Sequence, residues 1–403
     1  MTENPQHRPL TGFRTSPVSV ATPVVSAVLD TPVLTEKQRK SEWSKSSEGR
    51  VCRLLPYQHL HSPVKSLRYC QRSCIPNHNP VYDHNGISGL ISCSSSLCVK
   101  CGRAKQEETA DFVERIIRKT NDKYDYFIGT LTFSTDCSFE EQTKSLQIAY
   151  ASFVKNLRAG LRYWNIPVSI AWSNDATFDT ITHKGHFHRH FIARVPKGDG
   201  DMLYQKMFSC WQRAVRTKTN RSVVEAAFKC DPIESAQAAS KYLYKATREA
   251  SVHTNKNLSG QRLSITGLLE AISNGAEHLI KIYQRAVKAM KGKRFFGIPT
   301  SWKVEDAEIQ DVVEVVESEK DDKRIITPIE GTPQIHSAIM ESGAYTTLMY
   351  VLKTKRDGDK EVEDFRNIVE YWKPLLYRGN KQTSLIDDAA KDFYDWAEDI
   401  QIF

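Results

Sequence analysis

The sequence predicts a mixed α and β protein: a central body of strands and helices, preceded by a cysteine-rich segment and followed by an acidic one. Three observations predict it. Between residues 105 and 303, aromatic and β-branched runs alternate with stretches of helical apolar spacing. Six of the nine cysteines fall between residues 49 and 104. The charge also changes sign near Lys303. Through Lys303 there are 44 basic and 25 acidic residues, a net +19; beyond it there are 12 and 23, a net −11. The overall charge of +8 on 403 residues hides this contrast. A basic body suggests a polyanion partner, and the competing reading is a solvated surface with none. The length leaves room for roughly two or three domains.

Residues 1–48 hold five prolines, are rich in Ser and Thr and show no apolar period, which reads as a disordered arm. Pro5, Pro9, Pro17 and Pro23 interrupt any charged-then-apolar leader. No run approaches the ~18 apolar residues of a membrane span. The expectation is a cytoplasmic protein with reduced thiols and no membrane partner. An odd cysteine count also argues against a closed disulfide framework.

Residues 49–104 show little sign of regular structure. Cys98-Val-Lys-Cys101 is a CxxC, Cys93 precedes it, and Cys70-Gln-Arg-Ser-Cys74 is a second pair. Two close cysteine pairs in a reduced chain fit a structural Cys₄ zinc site. Cys98 and Cys101 anchor it. The remaining ligands come from Cys70, Cys74, Cys93 and Cys52, with His78 and His84 as outside candidates. The competing reading is a set of buried thiols.

In residues 105–303 a helix is expected near Lys105, where Ala110, Phe112, Val113, Ile116 and Ile117 form a stripe. Tyr124–Phe133 reads as a buried strand. Ser138-Phe139-Glu140-Glu141 is a capping box opening a helix to about Tyr163. Pro167–Ser173 and Phe187–Val195 read as strands, and Asp201–Thr217 and Ser235–Ala250 as helices. In residues 304–403, Asp311–Val316 looks β-like, and Gly343–Leu352 suits either a strand or a helix. No chemical motif stands out there.

Four of the twelve histidines lie within eight residues: His183, His186, His188 and His190. On a strand, positions i, i+2 and i+4 share a face, so His186, His188 and His190 converge if the segment is extended. Neutral imidazoles so placed suit a divalent metal. Imidazoles alone suggest zinc. Mg²⁺ or Mn²⁺ becomes possible if a carboxylate completes the shell, and Asp175 and Asp179 both lie on the approach. The competing reading is a cluster of surface histidines. Lys241-Tyr242-Leu243-Tyr244-Lys245 offers tyrosine nucleophiles with flanking cations. On a helix Tyr242 and Tyr244 are about 200° apart, so only one enters a given site. Taken alone, tyrosines on a helix are ordinarily packing residues.

These pieces occur in a familiar order. Phe127-Ile-Gly-Thr-Leu-Thr-Phe133, Gly185-His-Phe-His-Arg-His-Phe-Ile-Ala193 and Ser240-Lys-Tyr-Leu-Tyr-Lys245 resemble the three motifs of the rolling-circle plasmid replication initiators of the HUH endonuclease superfamily. The branch is the one with an upstream Cys motif, which Cys93–Lys105 resembles. Thr266–Glu270 and Tyr283–Arg294 are similar to the segments that follow. The resemblance covers about residues 90–303. It implies an α+β fold with a central antiparallel sheet flanked by helices and the histidines on a middle strand. It makes Asp175, His186, His188 and His190 the metal set, Tyr242 the nucleophile, and Lys245 its accompanying lysine. Arg189 departs from the apolar residue expected between His188 and His190. Ala238 stands where the branch carries a Glu, and the nearest upstream carboxylate is Glu234, so termination has no assigned residue; Tyr244 is the alternative second nucleophile.

The implied activity is metal-dependent, origin-specific nicking of single-stranded DNA. It would leave a 5′-phosphotyrosine and a free 3′-OH, with rejoining at termination. The implied partners are plasmid origin DNA, single-stranded or as a hairpin, with Lys241 among its contacts, and the host polymerase and helicase. Two alternatives stay open: a single-strand transposase or mobilisation relaxase of the same superfamily, and a non-catalytic zinc-stabilised DNA-binding regulator.

Overall fold

The computed structural model describes residues 36–133, 138–223, 228–233, 262–312, 326–377 and 383–400. Among them is a six-stranded, wholly antiparallel sheet: β3 (Tyr124–Leu131), β4 (Ser169–Asp179), β5 (Gly185–Pro196), β6 (Lys229–Pro232), β7 (Arg262–Ser264) and β8 (Phe296–Gly297). The order is β6-β3-β5-β4-β7, with β8 also on β4, so β5 is the middle strand. The fold is therefore α+β, with antiparallel sheets flanked by helices.

The alternation of β5 sends its residues to two different layers. Phe187, Phe191, Ala193 and Val195 join the core made with α5 (Phe139–Arg162) and α6 (Gly200–Thr219), through Phe153, Leu157, Met207 and Trp211. Ile192 points the other way, into a smaller cluster with Ile128, Tyr126, Val113, Ile116, Ile117 and Trp302. Those last residues come from α4 (Cys101–Thr120) and α9 (Thr300–Val312). The Ser138 hydroxyl caps α5 by accepting from the Glu141 N–H at 3.2 Å, as the capping box requires. Gly129 of β3 is needed because the Phe191 ring crosses it: an added Cβ would lie 2.4 Å from Phe191 Cζ.

The cysteine segment is more ordered than its composition suggests. Glu36–Lys45 is helix α1, so helical structure begins inside the expected arm; α2 is Ser47–His61 and α3 is Lys65–Tyr69. The α1 signal was hidden because its one large anchor is Trp43, edge-on to Tyr350 at 5.4 Å. The α2 signal was hidden by Pro56, which has no N–H for the Cys52 carbonyl. The Thr346 hydroxyl donates to that carbonyl instead, at 3.4 Å. Leu54 and Leu55 bury the inner face of α2.

The acidic region folds back onto this segment. Strands β1 (Val81–Asp83) and β2 (Gly86–Ser88) form a second sheet with β9 (Ile329–Glu330), in the order β2-β1-β9. Helices α10 (Pro333–Glu341), α11 (Tyr345–Thr354), α12 (Lys360–Tyr377) and α13 (Thr383–Asp399) complete that layer. Tyr82 sits between Phe365 and His336. Within Gly343–Leu352, Gly343 and Ala344 form a turn and Tyr345–Leu352 is helix, buried on all sides, which erases the apolar period that would have marked it. Asp311 and Val312 end α9 and are not strand; residues 313–316 lie outside the described residues. The remaining helices are α7 (Ile265–Ser273) and α8 (Ile280–Met290). No helix among the described residues is long and apolar enough to cross a membrane.

Candidate metal centres

The first centre lies on the sheet. Register pairs Asp175 of β4 with His188 of β5, and Thr130 of β3 with His190. Three strands thus bring one face of side chains together. The ligand atoms of Asp175, His188 and His190 all lie within 4.8 Å of one another. His188 Nε2 is 2.9 Å from Asp175 Oδ2. Thr130 Oγ1 is hydrogen-bonded to His190 Nδ1 at 3.0 Å, which fixes that ring. Asp175 is 1% exposed and accepts at Oδ1 from the Ala176 N–H at 2.7 Å. Burial works to raise its carboxyl; the His188 and His190 imidazoles outweigh burial and hold it below the usual carboxylate range. A buried carboxylate beside two imidazoles fits a divalent cation, and three ligands leave positions open for a substrate.

His186 shares the face but stands apart from that group. Its ring centroid is 5.3 Å from that of His188, and its Nε2 is 3.4 Å from Thr132 Oγ1. Burial, and then the neighbouring His188, lower its pKa to about 4, so it is neutral at pH 7. Asp179 does not reach the centre. Its Oδ1 accepts from the Ile181 and Thr182 N–H groups and closes the β4–β5 turn, where His183 takes φ 57°. Lys241, Tyr242, Tyr244, Lys245, Ala238 and Glu234 lie outside the described residues.

The second centre lies where α2, the loop after α3 and the start of α4 meet. Cys70, Cys93, Cys98 and Cys101 have their sulfurs within 4.8 Å of one another. Cys70 Sγ is 3.4 Å from Cys101 and 3.5 Å from Cys98, and Cys93 is 3.8 Å from Cys101. Four sulfurs placed ~2.3 Å from a tetrahedral zinc would be ~3.8 Å apart, so the cluster has the size to hold a metal ion. Hydrogen bonding with Cys101 pushes the Cys70 and Cys93 thiols up, while the same bonds hold Cys101 down. Gln58 supports the site: its Nε2 donates to the Leu67 carbonyl at 3.0 Å and to Cys98 Sγ at 3.5 Å, and its Oε1 accepts from the Val99 N–H at 2.9 Å. Cys74 is outside the cluster, in a β-bridge with Leu90. Cys52 is also outside, with burial pushing its thiol up to about 12. His78 and His84 are not members.

Two features escaped the sequence. Thr130 was visible in the first strand motif but had no role, because its partner His190 is set by strand pairing. Arg189 looked like a flaw in the histidine motif, yet it points to the opposite face. There its guanidinium lies 4.1 Å from the Tyr150 ring centroid and 4.0 Å from that of Trp172. No family model matches the chain, and no curated protein or solved structure does either.

Proposed function

We propose that the chain is a metal-dependent DNA nicking and strand-transfer enzyme of the kind that initiates rolling-circle plasmid replication. The observation that supports this reading is the meeting of Asp175, His188 and His190 on one sheet face, with ligand atoms within 4.8 Å. The resemblance names these three residues together with His186, which stands apart from the group. A divalent cation such as Mg²⁺ or Mn²⁺ held there would supply Lewis acidity to a phosphodiester. Thr130 keeps the His190 ring turned with Nδ1 away from the ligand position. The Tyr242 phenolic oxygen attacks the scissile phosphorus. A Tyr–O–P bond forms, the P–O3′ bond breaks, and the 3′ oxygen leaves as a hydroxyl with the proton the phenol gave up. Lys241 and Lys245 hold the phosphate charge. The bond energy stays in the phosphotyrosine link, so a 3′ hydroxyl can later reverse the step.

The Cys70–Cys93–Cys98–Cys101 cluster is read as a structural zinc site that fixes the segment against the sheet body. The basic body handles the DNA backbone. The test is incubation of the full chain with single-stranded origin oligonucleotides and Mn²⁺ or Mg²⁺, followed by denaturing electrophoresis. A covalent adduct is expected, lost in Tyr242→Phe. If no strand gives an adduct with either ion, the enzyme reading fails and the zinc-stabilised regulator takes its place.

A further inference from the structure

The far side of the sheet carries a cleft lined by basic residues. Its volume is about 740 Å³, and it opens between α5, the β4–β5 face that points away from the histidines, and residues 292–299. That volume is in the ~300–1,000 Å³ range of small-ligand pockets. Its lining includes Arg158, Arg189, Lys293 and Arg294 and not one Asp or Glu among the described residues.

Arg189 is the decisive residue. It is 3% exposed, and its Nε donates to Asn174 Oδ1 at 2.7 Å. Among the described residues no carboxylate pairs with its guanidinium, which is held by the faces of Tyr150 and Trp172. A buried cation without a carboxylate partner costs desolvation free energy, and an anionic ligand would offset it. Burial lowers its pKa only to about 10, so it stays charged at pH 7.

The remaining contacts fix this geometry. Asn174 Nδ2 donates to the Arg294 carbonyl at 2.7 Å, and the Asn174 N–H donates to the Phe295 carbonyl at 2.8 Å. One side chain therefore aims Arg189 and ties down the Lys293-Arg294 segment. Gly297 lets that segment close on the Trp172 indole: an added Cβ would lie 2.2 Å from its Nε1. Ile170, Phe187, Ile298 and Pro299 give the cleft an apolar wall.

We propose that this cleft binds a nucleotide phosphate, with Arg189 at its base, Arg158, Lys293 and Arg294 around the phosphate, and the apolar wall receiving the nucleobase. The nucleotide is either free or part of a nucleic-acid strand. The site is separate from the metal centre, since Arg189 and its neighbours His188 and His190 face opposite sides of β5.

The test is calorimetric titration of the full chain with ADP and with a short oligodeoxythymidylate. At least one is expected to bind, and about tenfold or more weaker in Arg158→Gln and in Lys293→Gln, the scale of one lost charge-assisted hydrogen bond. These two residues are exposed, so the test does not depend on the folding of an Arg189 variant. Binding displaced by the oligonucleotide assigns the phosphate to a strand; ADP binding that it does not displace assigns it to a free nucleotide. His190→Ala, which removes a metal-centre side chain, is expected to bind ADP, titrated without added metal, like the native chain. Absence of binding by both probes overturns the proposal. So does binding that Arg158→Gln and Lys293→Gln leave unchanged, or ADP binding that His190→Ala abolishes.

Discussion

The two candidate metal centres differ in ligand chemistry and in closure. The cysteine centre has four soft sulfurs, contributed by chain segments up to 31 residues apart, at a junction of helices and loops. The sheet centre has one carboxylate and two imidazoles on adjacent strands, and its His188 side chain is 14% exposed. Four thiolates complete a tetrahedron and leave nothing for a substrate, whereas three N and O ligands leave positions open. The first arrangement suits folding and the second suits chemistry. The supporting groups differ accordingly: Gln58 knits backbone segments around the cysteines, while Thr130 orients one ring.

If this contrast holds, damage to the cysteine centre should unfold structure. Cys98→Ser removes one of four thiolates. Zinc binding supplies ~10–16 kcal/mol in small zinc modules, so the largest loss is expected here. Elemental analysis should show the metal gone, and thermal melting should lose its cooperative transition or fall by many degrees. A Cys98→Ser protein that keeps both metal and melting temperature would end the structural reading.

The sheet centre should behave in the opposite way. Asp175→Asn keeps the shape and removes the charge. Nicking with Mn²⁺ is expected to fall to background, while the metal of the cysteine centre and the melting temperature stay near native. Asp175 is nearly inaccessible, and the substitution removes a buried charge without changing the volume of the side chain. Loss of both metals together would show that the two centres are not independent.

The residues of the two centres were legible to different degrees. The sheet histidines were readable because a strand repeats every two residues, and His188 and His190 obey that period whatever surrounds them. Residue spacing left Asp175 and Asp179 level, and only the resemblance chose Asp175; the physical reason is register, which puts Asp175 opposite His188 and Asp179 in the turn. For the cysteines, Cys98 and Cys101 were fixed by local spacing. The choice of Cys70 over Cys74 was not local, since Cys74 is drawn into a bridge with Leu90. The packing of the acidic region on the cysteine segment was invisible, because β1 and β9 are two or three residues long and carry no period. Charge patterning did not show that Glu305 and Asp306 of the acidic segment pair with Arg194 and Arg115 of the body.

That packing makes a pH prediction about the junction. His336 is fully buried, its Nε2 3.0 Å from the Gln71 carbonyl, next to Cys70. Burial lowers its pKa from 6.5 to about 4. The unfolded chain therefore binds more protons than the folded one between those values. Stability is full above about pH 6.5 and declines as pH falls towards 4, by on the order of 3 kcal/mol in total. Denaturant titrations at pH 7 and 5 should show about 2 kcal/mol of this. His336→Gln keeps a donor towards Gln71 and should flatten the slope. An unchanged slope would place the acid sensitivity elsewhere.

The smallest expected effect probes the orientation of one ring. Thr130→Val is nearly isosteric and removes the hydroxyl bonded to His190 Nδ1. Without it the imidazole loses one of its anchors, and a change of tautomer or a rotation would turn Nε2 from its ligand position. Loss of such a supporting contact commonly weakens a metal site ~10–100-fold. Mn²⁺ titration followed by electron paramagnetic resonance should read that shift, with the melting temperature changed by no more than the loss of about one hydrogen bond, ~1 kcal/mol. Gln58→Leu is the matching change at the cysteine centre. It should act on stability first, because Gln58 holds backbone groups of Leu67 and Val99 as well as a sulfur. If Thr130→Val instead costs stability and leaves Mn²⁺ affinity untouched, the threonine is a packing residue and the sheet centre lacks the pre-set ring that open-site chemistry requires.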